Sequence, residues 1–203
     1  YNSIRSAHNP ASRAILRACD RLGMYVMDEA FDAWYIPKTY HDYSRDFAEN
    51  FKLDIASMVN RDYNYPCVVM YSVGNENSEL GSDKGIRFFK EQTEFIKSLD
   101  STRIVTIGAN LMLMDGRKIY AEDTGYKREP LDPSKNDDRI ADLDKHGSTG
   151  FNAVMNLTPM LMLNASKGQK NAAKTDKLVP FVDVLGLNYG TPRYEEDIAR
   201  EPN

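Results

Sequence analysis

A short apolar run that stops on a carboxylate constrains this chain more than any other feature. Residues 67–71, Cys-Val-Val-Met-Tyr, are uninterrupted apolar and rich in β-branched side chains, the pattern of a strand buried on both faces in a parallel sheet. The run gives way to Ser-Val-Gly-Asn-Glu at 72–76. Gly74 is placed to let the backbone turn, which leaves Asn75 and Glu76 at the carboxyl end of the strand. In parallel α/β folds the loops at that end face solvent and substrate. A solvated loop acid is the ordinary reading of an isolated Glu. A Glu directly behind a buried strand instead suits a general acid/base, whose proton is delivered from a rigid, partly desolvated position.

The same grammar recurs along the chain. Strands are predicted at about 2–5, 24–28, 67–72, 103–107 and 183–187, and several end in polar residues: Arg5, then Asp28 and Glu29, Asn75 and Glu76, Asn110, and Asn188 with Tyr189. Helical patterns lie between them. Ile15, Cys19 and Leu22 form one stripe after a cap at Ser12, and Gly23 ends that helix. Phe47, Phe51, Ile55 and Met58 form a second stripe, and Ile86, Phe89, Thr93 and Ile96 a third within 82–100. Strand and helix alternation argues for right-handed parallel crossovers, in either a doubly wound sheet or part of a β/α barrel. No Gly-x-Gly-x-x-Gly follows the first strand and no Walker loop occurs. Polar residues at the strand tips favour the barrel.

Residues 30–43 are unusually aromatic, with Phe31, Trp34, Tyr35, Tyr40 and Tyr43, and they suit either stacking on a flat ligand or capping the core. Residues 115–150 lose periodicity and read as a long polar excursion. Within it Asp132, Ser134, Asn136 and Asp138 resemble the start of a calcium loop, but Asp137 and Leu143 stand where Gly and Glu are required. Residues 155–163 form a soft, Met-containing apolar stretch suited to packing.

Composition narrows the classes. The chain has 203 residues, 41% of them hydrophobic, which is enough for one sizeable core. A net charge of −4 with scattered Lys and Arg gives no footprint for nucleic acid or an anionic membrane surface. No apolar run approaches the roughly 18 residues that a membrane span needs. Cys19 and Cys67 fall in apolar patterns and are expected to be reduced core residues. His8, His41 and His146 lack metal-ligand spacing, so no metal or other cofactor is expected. Tyr1 opens the chain already in strand-like sequence, and a piece of a longer protein is expected.

The motifs together resemble a known family. The segments 2–10 (Asn-Ser-Ile-Arg-Ser-Ala-His-Asn-Pro), 19–23 (Cys-Asp-Arg-Leu-Gly), 28–34 (Asp-Glu-Ala-Phe-Asp-Ala-Trp) and 61–66 (Arg-Asp-Tyr-Asn-Tyr-Pro), followed by 72–76, are similar to the catalytic barrel of glycoside hydrolase family 2. The similarity runs from residue 1 to about 110 and resumes at 183–194. It implies a fragment of a single TIM-barrel domain over 1–203: strands two to six of a (β/α)8 barrel, without the first strand and the last two. Residues 1–5 would be the second barrel strand, 67–72 the fourth and 182–187 the sixth.

By that resemblance Glu76 would be the acid/base of a retaining, exo-acting β-glycosidase, protonated because burial and a neighbouring carboxylate raise its pKa. Asn75 would hydrogen-bond the sugar hydroxyl beside the reacting carbon. Arg5 would hold the nucleophile ionised, and Tyr189, with Tyr194 as second choice, would orient it. His8, Asp32 and Trp34, with Asn75 and Tyr189, would bind the terminal sugar. The family's nucleophilic Glu stands on a seventh strand, which this sequence does not reach. Glu195, Glu196 and Glu201 follow no apolar strand and are not assigned to that role, so the chain alone is expected to show little or no turnover. β-Galactosidase is the leading activity, with β-glucuronidase, β-mannosidase, another retaining hydrolase of the barrel clan such as a β-glucanase, or a non-catalytic carbohydrate-binding barrel as alternatives. Expected partners are a carbohydrate and, in the parent chain, the remaining barrel strands and accessory β-sandwich domains.

Overall fold

Parallel pairing of five strands carries the architecture. The computed structural model describes residues 1–38, 41–111, 113–115 and 169–200. Its strands are β1 (Ser3–Arg5), β2 (Tyr25–Glu29), β3 (Val68–Asn75), β4 (Ile104–Ala109) and β5 (Gly186–Leu187). Each runs parallel to the one before it, and they stand in the order β1-β2-β3-β4-β5. A doubly wound sheet reverses its strand order part-way across. This sheet does not, which decides for part of a β/α barrel. All five carboxyl ends therefore lie along one rim.

The described helices are α1 (Arg13–Leu22), α2 (Ser44–Asp62), α3 (Asp83–Leu99), α4 (Gln169–Asp176) and α5 (Tyr194–Arg200). Ser12 caps α1 by accepting from the Ile15 N–H, and Ser82 caps α3 by accepting from the Gly85 N–H. Phe47, Phe51, Ile55 and Met58 all turn inward from α2, as their spacing predicts. They meet Phe88 and Phe89 of α3. Phe88 is the hub of an aromatic cluster, with ring centroids 5.4 Å from Phe47, 5.0 Å from Phe51 and 5.3 Å from Trp34, mostly edge to face. Cys19 and Cys67 are buried and unpaired, and burial together with the Asp20 side chain pushes the Cys67 thiol up to about 12.

Several local expectations shift. On α1 the inward seam is Leu16 and Cys19, while Ile15 and Leu22 are exposed. One residue is a rotation of about 100° on a helix, so choosing Leu16 over Ile15 moves the seam. Strand β3 extends to Asn75, and Gly74 lies within it. A Cβ on Gly74 would stand 2.3 Å from Asn77 Oδ1 and 2.9 Å from Trp34 Nε1, so Gly74 serves close packing while the turn falls at Glu76.

At the carboxyl-terminal end, the strand predicted over 183–187 shrinks to two residues. Asp183 explains this: its backbone N–H donates to the Val105 carbonyl, and its own carboxylate takes the Val105 N–H at 2.7 Å, interrupting the ladder. Residues 194–200 form α5, with Glu195 and Glu196 in its first turn. The polar excursion, the calcium-like segment, the Met-containing stretch and Glu201 lie outside the described residues.

Replacing Phe88 by Ala removes the ring on which α2, α3 and Trp34 converge. Urea unfolding of Phe88→Ala is expected to show a loss of about 3–5 kcal/mol, and a loss under about 1 kcal/mol would contradict this packing scheme.

Candidate active site

At the carboxyl rim, one arginine gathers three strands. Arg5 ends β1. Its Nε donates to Glu29 Oε2 at 2.8 Å, one terminal nitrogen donates to Asn75 Oδ1 at 2.9 Å, and the other to Asn188 Oδ1 at 3.1 Å. The guanidinium lies over Gly108 of β4, where a Cβ would stand 2.4 Å from its nitrogen. Only glycine leaves that seat open.

Glu29 is fully buried, and its carboxylate is saturated. Oε2 also accepts from Ser72 Oγ at 2.8 Å, and Oε1 lies 2.6 Å from His8 Nδ1. A buried charge of this kind is tolerable only when paired and hydrogen-bonded. Behind it, Asp28 accepts from the Ala11 N–H and from Ser6 Oγ, shaping the loop that carries His8. Burial, and then the Asp62 carboxyl beside it, push Asp28 up to about 7.

Glu76 sits where β3 breaks. Its φ of 50° is left-handed, a conformation that costs a non-glycine residue of order 1–3 kcal/mol and persists only when the surroundings enforce it. Here the Glu76 N–H donates to the Gly108 carbonyl at 2.7 Å, and Glu76 Oε1 accepts from Asn188 Nδ2 at 2.9 Å. The same Nδ2 donates to Asn75 Oδ1 at 2.8 Å. With Oδ1 receiving two donors, Asn75 turns its own Nδ2 to Asp32 Oδ1 at 3.0 Å. Tyr189, also left-handed with φ 57°, is partly exposed. Burial and the nearby Glu76 charge raise its phenol above the usual value.

Of the residues singled out from sequence, Arg5, His8, Asp32, Asn75 and Glu76 join this cluster through direct hydrogen bonds or a shared partner, and Tyr189 lies within electrostatic reach of Glu76. Trp34 stands elsewhere. It is fully buried against Phe88, with its indole N–H donated to the Val73 carbonyl at 3.0 Å, so it supports the loop from behind and presents no face to a ligand. The surrounding aromatic loop caps the core in the same way, through buried Phe31 and Tyr35. Tyr194 is on exposed α5. Three members of the cluster were not picked out as site residues: Glu29, Asn188 and Lys38. The first two stand at strand ends, which is the signal that could have found them. Among the described residues, no group of three or more His, Cys, Asp or Glu side chains is arranged to hold a metal.

Lys38 braces the Asp32 edge of the cluster. Its Nζ donates to Asp32 Oδ1 at 2.8 Å and to the Asn75 carbonyl at 2.7 Å. Burial alone would raise the Asp32 pKa, but the Lys38 charge, with hydrogen bonds from Lys38 and Asn75, outweighs it and holds the carboxyl below the usual range. The cluster thus combines a carboxylate on a strained turn, an ionised acceptor beside it, and a fixed cation.

A family description decides what kind of barrel this is. The glycosyl hydrolases family 2 TIM barrel domain matches residues 1–132. The chain belongs to glycosyl hydrolase family 2. It is 37% identical over 140 residues to a β-galactosidase of Bacteroides ovatus, covering 54% of this chain and 16% of that protein. It is 36% identical over 111 residues to the β-glucuronidase of Rattus norvegicus, again covering 54% of this chain and 16% of that one. A solved family 2 structure from Bacteroides cellulosilyticus superposes on the whole chain with a TM-score of 0.66 and 33% identity, and the match covers 18% of that structure. The family 2 segment described here therefore spans about a sixth of the length of such relatives.

Replacing Lys38 by Met leaves Asp32 with its burial and without its main counter-charge, so the Asp32 pKa is expected to rise. Carboxyl NMR titration would read it directly. In the wild type the lowered value means that the pair contributes to stability above the ordinary aspartate pKa, a contribution lost as pH falls through the lowered one. In Lys38→Met that acid limb should disappear, and an unchanged Asp32 titration would refute the assignment.

Proposed function

We propose that this chain forms the acid/base half of a retaining, exo-acting β-glycosidase, with Glu76 as the proton donor. The observation that carries the reading is the Glu76 turn: a carboxylate at the carboxyl rim of a barrel, on a left-handed backbone, oriented by Asn188 and tied through Asn75 to Arg5. Glu76 would protonate the glycosidic oxygen as a second carboxylate attacks the anomeric carbon. It would then deprotonate the water that releases the sugar. The attacking carboxylate would come from a barrel strand outside this sequence, received beside Arg5, whose guanidinium favours the ionised form. Tyr189 would orient it.

Asn75 would bind the hydroxyl next to the reacting carbon, with His8 and Asp32 on the hydroxyls further round the ring. Trp34 is left out of this list because its ring is inaccessible. A neutral sugar fits the site better than a uronic acid, since Asp32 already places one ionised carboxylate at the sugar-facing edge. That observation favours a β-galactoside as substrate. A panel of nitrophenyl β-galactoside, β-glucuronide and β-mannoside, offered to the complete protein that contains this chain, distinguishes the three.

Glu76→Gln is expected to lower kcat/KM for alkyl glycosides, which need a protonated leaving group, by about 10²–10⁴-fold. The loss should be smaller for nitrophenyl glycosides, whose leaving group departs without help. Equal losses on the two would remove Glu76 from the donor role.

Gly108→Ala would press a methyl group into the Arg5 guanidinium and part it from Asn75. A fall of about 10²-fold in kcat/KM is expected from a displacement near 1 Å. Wild-type kinetics in this variant would show that the Arg5 seat is not required.

A further inference from the structure

The two acids at the end of β2 face opposite ways, as successive strand residues do. Glu29 points into the cluster and holds the His8 ring. Asp28 points to the helix side, where it is fully buried, and no step of the proposed hydrolysis uses it. Its Oδ1 accepts from the Ala11 N–H at 2.8 Å and lies 3.3 Å from Ser6 Oγ. Its Oδ2 is buried and meets no hydrogen-bond donor among the described residues, a costly state for an ionised oxygen.

Helix α2 brings the other half of the arrangement. Asp62, in its last turn and fully buried, accepts from Arg61 Nε at 2.6 Å and from a terminal nitrogen of the same guanidinium. That nitrogen also donates to the Ala11 carbonyl at 2.6 Å. Ala11 is thus gripped by both of its backbone groups, the N–H by Asp28 and the carbonyl by Arg61. Ser6 anchors the other end of the loop, its Oγ accepting from the Glu29 N–H at 2.9 Å. The segment between them, which carries His8 to within 2.6 Å of Glu29 Oε1, is clamped at both ends.

The charges in this clamp do not balance if every acid is ionised. Facing Asp28 are Asp62 and Arg61 of α2 and the Tyr71 phenol of β3, which turns to Asp100. The Arg5, Glu29 and His8 side chains are gathered on the other face of β2. Two carboxylates and one guanidinium leave an excess negative charge out of water. A single proton removes that excess, and on Asp28 Oδ2 it also turns an orphaned acceptor into a donor. Burial, and then the neighbouring Asp62, act in the same direction by raising Asp28 to about 7.

We propose that Asp28 is a positioning residue that works in its protonated form, donating through Oδ2 to the Asp62 carboxylate and so locking the loop that presents His8 to the substrate. When the proton leaves to solvent, two buried carboxylates face each other and Arg61 is drawn between them, which releases the Ala11 carbonyl and loosens the loop. The effect on sugar binding rests on the glycosidase reading above, whereas the shared proton does not. Because the fold holds this proton to a higher pH than the unfolded chain does, the contribution to stability is full below the ordinary aspartate pKa and declines as pH rises toward about 7.

The test uses the complete protein that contains this chain. Infrared difference spectra taken between about pH 5.5 and 8.5 are expected to show a protonated-carboxyl C=O band that fades near pH 7 in the wild type. The band should be missing in Asp28→Asn, whose amide donates to Asp62 at every pH. Affinity for galactose, the product expected of the glycosidase reading, should weaken over the same range about threefold more in the wild type than in Asp28→Asn, as read by calorimetry. Asp28→Ala, with neither donor nor acceptor, should bind weakly throughout. Should Asp28→Asn fail to fold, Asp62→Asn takes its place: it removes the charge that holds the proton, and the band should fade about one pH unit lower. Identical spectra in the wild type and the variant would overturn the shared proton. The band with parallel affinity profiles in the two proteins would overturn the positioning role. Neither outcome touches the glycosidase reading, which falls instead if no glycoside is bound or hydrolysed, and in that case the band still decides the shared proton.

Discussion

A fully buried glutamate facing an arginine is the constraint on which this rim depends. Taking the Glu29 carboxylate out of water costs several kcal/mol, and the fold meets that cost with donors from three places: Arg5 on β1, His8 in the following loop, and Ser72 on β3. Because these groups must converge on one point, they fix the tips of β1, β2 and β3 relative to one another. Glu29 faces inward beneath the rim, and its work is to aim Arg5. The arginine, held at its Nε, then has both terminal nitrogens committed to amide oxygens, Asn75 on one side and Asn188 on the other.

Those two amides pass the order outward. Each has an oxygen that accepts from Arg5, so each must turn its nitrogen the other way, Asn75 toward Asp32 and Asn188 toward Glu76. One cation thereby sets the direction of two donors, and through them the orientation of Glu76 and of Asp32. Lys38 closes the same edge from above by holding Asp32 to the β3 carbonyl. The result is a preorganised polar surface whose members have little freedom to rearrange, as chemistry at a developing charge requires.

Much of this could be read in the residues before any coordinates, and the exceptions have physical reasons. The apolar stripes of α2 and α3 are strongly periodic and the runs that became β2, β3 and β4 are largely apolar, and the packing agrees with both patterns. The shortened β5 could not be foreseen, because a side chain, Asp183, takes the backbone donor that a ladder would use. Gly74 was read as a hinge for the lack of strain in its backbone, whereas the structure uses its lack of a side chain. Trp34 was expected from the family resemblance to line the terminal-sugar subsite, and burial against Phe88 removes that role. Glu29 and Glu76 are both strand-tip acids, and only three-dimensional convergence tells the fully buried anchor from the part-buried acid on the turn. Lys38 carries no pattern at all: its importance lies in two contacts with residues that are 6 and 37 positions away.

Arg5 also measures the shape of the sheet. It belongs to the first strand and its bond to Asn188 lies just past the last, four interstrand steps away, which in a flat sheet would be about 19 Å at the usual spacing of 4.7–4.9 Å. An arginine side chain cannot bridge such a gap, yet the two groups meet at 3.1 Å. The bond is a chord drawn across an arc. It exists only while the strands bend toward a common axis, so flattening the curve would disengage this arginine before any strand parted from its neighbour.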